Sequence, residues 1–224
     1  MKPRPRSDFP DPRTAPREGP MAMGGDLSVE RLLNAYARGI FPWFGEDEPI
    51  LWWCPDPRFV LFPDEARIAQ SLERERRKPS WEVRVDTAFT EVMTACAAQI
   101  RPGQDGTWIV PEMIAAYTAL HEAGFAHSIE CWRDGALAGG LYGISLGGVF
   151  FGESMFHRTA NASKIAFSAL LDWLRAHAFD LIDCQQETRH LASYGARNIP
   201  RADFLDRLAH SLQRPTRMGP WTLD

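Results

Sequence analysis

Apolar side chains first recur at helical spacing at Val29, Leu32, Leu33 and Tyr36, with Ser28 placed to cap the start and Gly39 to close the end. Pro42 excludes helix from the following Ile40 to Gly45 stretch. Residues 50–63 read as two extended runs broken by a Pro-Asp-Pro turn, and a helix is expected from Asp64 to Arg77. Further helices are expected at 89–98 and from Pro111 to Ala123, with a short strand or loop at 107–110. Strands at 127–132, 136–145 and 149–156 follow, joined by turns at Asp134-Gly135 and Leu146-Gly147-Gly148. A long helix over 161–177, a strand over 179–184 and a helical stretch near 203–212 complete the pattern. Three antiparallel strands, a helix and one more strand define an α+β chain with a mixed sheet and a crossover helix.

Composition narrows the function classes. The 224 residues carry 25 basic and 29 acidic side chains, so the domain is not the globally basic kind that neutralises phosphates all over its surface. Residues 1–22 are rich in proline and arginine and read as a mobile tail. Neither a signal-peptide core nor an apolar run of about 20 residues is present, so a soluble, cytoplasmic protein is expected. Cys54, Cys96, Cys131 and Cys184 read as reduced buried thiols, and neither they nor the histidines show metal-ligand spacing; no metal or cofactor is expected.

Four features carry candidate chemistry. Strand alternation puts Asp183 and Gln185 on one face at the mouth of the sheet, where they form either a reactive pair or a plain polar strand end. Glu153 interrupts an apolar strand beside Gly152; a bulge there would turn Phe150 and Glu153 to one side, giving an apolar pocket with an acid at its rim. The alternative is an ion pair with Arg158 or Lys164. The aromatic stretches with Trp43, Trp52, Trp53 and Trp108 are core filler or stacking platforms. The run Arg74, Arg76, Arg77, Lys78 is a solvated helix end or a phosphate contact, diluted by Glu73 and Glu75.

The stretches GGDLS (24–28), AYARGIFPWF (35–44), ILWWCPDPRFVL (50–61), GTWI (106–109), AHSIECW (126–132), GGLYG (139–143), VFFGESMF (149–156), NASK (161–164), LIDCQ (181–185) and SYGARNIPR (193–201) occur in one order along most of the chain. Together they closely resemble the bacterial leucyl/phenylalanyl-tRNA-protein transferases. That resemblance implies a small N-terminal domain, placed at 23–60, and a GNAT-like acyltransferase domain at 61–224. It implies transfer of leucine or phenylalanine from Leu-tRNA or Phe-tRNA to proteins that begin with Arg or Lys, marking them for degradation by the N-end rule. By the same resemblance Trp43, Trp108 and Tyr36 lie near the terminal adenosine, and Arg74, Arg76, Arg77 and Lys78 contact tRNA. Leu141, Phe150, Met155, Phe167 and Leu170 line a side-chain pocket, Glu153 lies at the aminoacyl site, and Asp183 and Gln185 act in transfer.

An aminoacyl ester is already activated, so alignment of a neutral amine is the main task. Asp183 is expected to orient Gln185, which then bonds the attacking amine or relays its proton; a route in which the ribose hydroxyl carries the proton is the alternative. Two rival functions differ in class. An acyl-CoA enzyme of GNAT type should carry a glycine-rich pyrophosphate turn, and residues 155–161 contain no glycine. A non-catalytic RNA- or peptide-binding module would use the aromatic loops but leave Glu153, Asp183 and Gln185 without a purpose. A monomer is expected.

Overall fold

The computed structural model describes residues 9–99 and 107–223. After a 3-10 turn at Pro12–Thr14 come β1 (Ala22–Met23), α1 (Val29–Tyr36), β2 (Phe41–Pro42) and β3 (Leu51–Trp53), and the three strands pair in the order β1-β3-β2. The Ser28 side chain accepts the Arg31 N–H and so opens α1, whose inner face buries Leu32, Ala35 and Tyr36. The proline-rich tail expected to be mobile behaves otherwise from Phe9 onward. Phe9 is buried edge-on against Trp52, and Arg201 donates to the carbonyls of Ala15 and Pro16. One aromatic anchor and a set of backbone carbonyls outweigh the composition; residues 1–8 lie outside the described ones.

The chain continues through β4 (Arg58–Leu61), α2 (Gln70–Arg76), β5 (Trp81–Val85), α3 (Phe89–Ala97), α4 (Pro111–Glu122), β6 (Ala126–Arg133), β7 (Ala136–Leu146) and β8 (Val149–His157). It ends with α5 (Ala162–Ala176), β9 (Leu181–Gln185), α6 (Arg189–Ala192), β10 (Arg197–Ile199) and α7 (Arg201–Ser211). Seven strands form the main sheet in the order β10-β4-β9-β8-β7-β6-β5. Only β8 and β9 are parallel, and α5 is the crossover that this pairing requires. The fold is therefore α+β with one mixed sheet.

Three local expectations are corrected. The helix expected from Asp64 starts at Gln70, because Pro63–Glu65 forms a 3-10 turn and the Arg175 guanidinium engages the carbonyls of Pro63 and Ala66. Strand β5 was not expected, although Trp81, Val83 and Val85 alternate with Glu82 and Arg84; it pairs with β6 throughout its length. Strand β10 has three residues and no apolar pattern, and exists through its pairing with β4. Residues 107–110, with Trp108, form a loop.

Two features of the sheet prepare the site. Tyr142 pairs with Ser154 and Gly143 with Gly152, so Glu153 is the extra residue of a bulge in β8. Gly143 is required opposite it, since a Cβ there would collide with the Phe151 carbonyl and the Phe150 ring. At the end of β9, Gln185 takes a left-handed conformation with φ 62°, which breaks the alternation of side chains at that residue.

Candidate active site

The bulge and the left-handed turn open a cavity of about 330 Å3 between β8, β9, α5 and the N-terminal aromatic loop. Trp43 and Trp108 stand in its wall. Leu141, Phe150, Met155, Phe167 and Leu170 supply its apolar side. Glu153 and Gln185 supply polar groups on the same cavity wall, so the expected bulge beside Gly152 does bring Phe150 and Glu153 to one side.

Glu153 forms no ion pair with Arg158 or Lys164 among the described residues. Its Oε1 accepts the Tyr36 hydroxyl at 2.8 Å and Gln185 Nε2 at 2.9 Å, and its Oε2 accepts the Tyr117 hydroxyl at 3.3 Å. The two tyrosine hydroxyls also bond each other. Burial pushes the Glu153 carboxyl up from 4.5 to about 7, assisted by the charge of Asp183 and opposed by bonds from Tyr36, Tyr117 and Gln185. Burial and the neighbouring carboxylate likewise hold both tyrosines far above their ordinary range, so they act as donors.

Asp183 faces away from Ile182 and Cys184, as alternation requires, but its face is not the cavity and Gln185 does not share it. Ile182 and Cys184 line the cavity, whereas Asp183 is fully buried on the reverse face. Its carboxylate takes Arg58 Nε at 2.8 Å and Arg58 Nη2 at 2.6 Å in a bidentate pair. The guanidinium is itself held between the Phe41 and Phe204 rings, 4.8 and 4.5 Å from their centroids. Asp183 reaches Gln185 through the backbone alone, since the Gln185 N–H donates to Asp183 Oδ1 at 2.9 Å. Asp183 therefore orients Gln185 through its backbone, and the Gln185 side chain is in contact with Glu153 rather than with Asp183. Because Gln185 turns left-handed, its side chain leaves the Asp183 face and meets Glu153 instead.

Tyr36 reaches the site only through its hydroxyl. With 1% of its surface exposed, it sits behind Glu153 and offers no ring for stacking. The basic cluster lies on α2 and just beyond it, outside the cavity wall. Arg76 is paired with Glu73 and Asp172, Lys78 with Glu75, and Arg77 lies 3.9 Å from Glu73. Arg74, Arg77 and Lys78 remain exposed.

Arg58, Tyr117 and His190 escaped the sequence reading. Arg58 stands in an apolar strand, which already demands a buried partner, and Tyr117 lies in the apolar stripe of α4, where its hydroxyl needs an acceptor. His190 lines the cavity beside Phe167 and Tyr194, and burial pulls its imidazole down from the ordinary value. Nothing in its local sequence announces it. Among the described residues no group of three metal-binding side chains occurs, and no helix is long and apolar enough to cross a membrane.

An apolar recess walled by tryptophans, with a hydrogen-bonded carboxyl and amide beside it, is the equipment of an enzyme that holds an acyl group and passes it to a nucleophile. Residues 25–56 match the leucyl/phenylalanyl-tRNA protein transferase N-terminal domain, and residues 60–209 match the leucyl/phenylalanyl-tRNA protein transferase family proper. Leucyl/phenylalanyl-tRNA–protein transferase from Anaeromyxobacter sp. (strain Fw109-5) is 60% identical over 96% of this chain and 92% of its own. The enzymes of the same name from Desulfatibacillum aliphaticivorans and Myxococcus xanthus (strain DK1622) are each 56% identical, over 96% of this chain and 93% and 92% of theirs. A solved structure of L-PGS from Bacillus licheniformis is a distant likeness, with TM-score 0.39 and 10% identity over 74% of this chain and 55% of that one. The chain belongs to the leucyl/phenylalanyl-tRNA protein transferase family and is an aminoacyltransferase that acts with aminoacyl-tRNA and protein substrates.

Proposed function

We propose that this enzyme moves leucine or phenylalanine from Leu-tRNA or Phe-tRNA onto the α-amino group of proteins that begin with Arg or Lys, in the cytoplasm and as a monomer, and so marks them for N-end rule degradation. The observation that carries the reading is the cavity itself. Its apolar wall, formed by Leu141, Phe150, Met155, Phe167 and Leu170, suits one uncharged amino-acid side chain, and its volume falls at the small end of ligand sites, about 300–1,000 Å3.

In this reading Trp43 and Trp108 stack on the terminal adenosine, where one base–aromatic contact contributes about 1–3 kcal/mol. Arg74, Arg77 and Lys78, the exposed members of the basic cluster, contact the tRNA backbone farther out. Gln185 gives its Nε2 to Glu153, which leaves its carbonyl oxygen to receive a hydrogen bond from the attacking amine. An α-amino group has an ordinary pKa of about 7.7–8.0, so a useful fraction attacks unprotonated near neutrality. Holding that amine against the ester carbonyl supplies most of the acceleration, since the ester needs no activation. The Glu153 carboxylate also suits an acceptor whose first side chain is cationic.

Incubation with radiolabelled leucyl-tRNA and a peptide with N-terminal arginine tests the proposal. Label should appear in that peptide and not in its N-acetylated form. Equal labelling of both forms, or acyl transfer from an acyl-CoA and none from the tRNA, would overturn it.

A further inference from the structure

Proton transfer during aminoacyl transfer needs a group that touches the reacting atoms, and Asp183 has none of its carboxylate in the cavity. Both its oxygens are engaged by Arg58, one also by the Gln185 backbone, and its side chain is fully buried. The carboxyl that contacts the Gln185 side chain is Glu153. We propose that Glu153 is the proton carrier of the transfer step, and that Tyr117 and Tyr36 are positioning residues that hold its carboxyl against Gln185. This rests on the reading of the cavity as the site of aminoacyl transfer.

The bulge makes Glu153 the one residue of β8 without a cross-strand partner, so its side chain is free to enter the cavity wall beside Phe150. Helices α1 and α4 then aim two phenols at it from behind. Oε1 is committed to Tyr36 and Gln185, whereas Oε2 has only the longer bond from Tyr117 and is the oxygen available to an incoming proton. The charged and titratable groups around Glu153 are Tyr36 from α1, Tyr117 from α4 and Asp183 from β9, the last paired with Arg58 from β4. Among the described residues His190 lies against Phe167 on the apolar side and makes no hydrogen bond with Glu153 or Gln185, while the Cys184 thiol is pushed far up by burial. With a carboxyl near 7, Glu153 has both forms available at neutral pH, as a proton carrier needs.

The step balances without another reactant. The amine lone pair forms the C–N bond, the ester C–O bond breaks, and its electron pair leaves on the ribose oxygen. One amine proton passes to Glu153 Oε2, and Glu153 returns it to that ribose oxygen, giving amide and free ribose hydroxyl with the carboxylate restored.

Single-turnover transfer of labelled leucine to the arginine peptide, followed from pH 5.5 to 8.5, tests the assignment. Glu153→Gln, which keeps the shape of the side chain, should lower the rate about 100-fold at pH 8. Binding of a leucyl-adenosine amide analogue, read by tryptophan fluorescence, should change less than about 3-fold, since roughly 0.6 kcal/mol covers the loss of one peripheral contact. The wild-type to Glu153→Gln rate ratio should climb with pH up to about 7 and then level, the titration of the acceptor amine being common to both enzymes. Tyr117→Phe removes a donor that favours the carboxylate, so its deficit should be largest at pH 6 and fade by pH 8.5. A purely structural tyrosine would give a deficit independent of pH. A rate for Glu153→Gln within threefold of wild type, a flat ratio, or loss of the acid limb in His190→Phe instead would each overturn the proposal. Wild-type enzyme that transfers no label would overturn the underlying function and this proposal with it, whereas wild-type transfer alongside an unaffected Glu153→Gln removes this proposal alone.

Discussion

Asp183 and Glu153 stand on neighbouring strands and bear the same functional group, yet the fold treats them oppositely. Asp183 is sealed on one face of the sheet with a bidentate guanidinium, itself enclosed by two aromatic rings. Glu153 is set by a bulge at the cavity and receives only neutral donors, from two phenols and an amide. An ion pair without solvent holds a strand end and the backbone of Gln185 in place. A carboxyl with neutral partners keeps a proton affinity suited to exchange. The difference shows that the partner, more than burial, decides whether a carboxylate is a strut or a participant.

The largest expected effect tests the strut. Arg58→Ala leaves Asp183 buried and unpaired, and should cost about 3–5 kcal/mol of stability in urea unfolding. Replacing both partners, Arg58→Met with Asp183→Leu, should cost clearly less, because no uncompensated charge remains. Equal losses would mean that the guanidinium packing, not the charge pair, carries the stability.

Next in size is a pH effect on Glu153. Its folded pKa is raised from 4.5 to about 7, so the folded state holds the proton more tightly than the unfolded chain. That contribution is complete below about 4.5 and disappears as pH rises through about 7. Glu153→Gln should therefore gain on wild type by about 3 kcal/mol between pH 4.5 and pH 8, measured as the difference in unfolding free energies. A constant difference would remove the contrast between the two carboxyls.

These two carboxyls also show what the chain made legible. The alternating and helical patterns placed β6 to β9 and α5 within about two residues, since long periodic elements follow their own hydrophobic faces. The bulge was readable from Gly152 beside Glu153 in an apolar strand. The face taken by the Gln185 side chain was not, because it depends on a left-handed conformation that no local propensity favours in a glutamine. Arg58 and Tyr117 were hidden by distance: the Arg58 partner lies 125 residues away and that of Tyr117 lies 36 away. The α2 start was displaced by Arg175, a long-range partner of carbonyls that helix propensity alone would have used.

Smaller effects separate the cavity's apolar side from Glu153. Phe167→Ala should change the ratio of leucine to phenylalanine transfer by about 10- to 200-fold, the range for about 1–3 kcal/mol of apolar discrimination, and leave the pH profile in place. Competition between the two charged tRNAs measures it, and a shifted acid limb would show that the two parts of the site are not independent. Smallest is the outer basic cluster. Arg74→Ala should weaken tRNA binding modestly and lower the log–log salt slope by about 0.7–0.9, as expected for one phosphate contact. An unchanged slope would remove Arg74 from the tRNA path.

The contrast itself is tested most directly by infrared difference spectroscopy of the carboxyl stretch, wild type minus Glu153→Gln, titrated from pH 5 to pH 9 on the folded enzyme. A single protonated-carboxyl band belonging to Glu153 should be present at pH 5 and vanish with a midpoint near 7. Its absence at pH 5, with Glu153 already ionised there, would contradict the account.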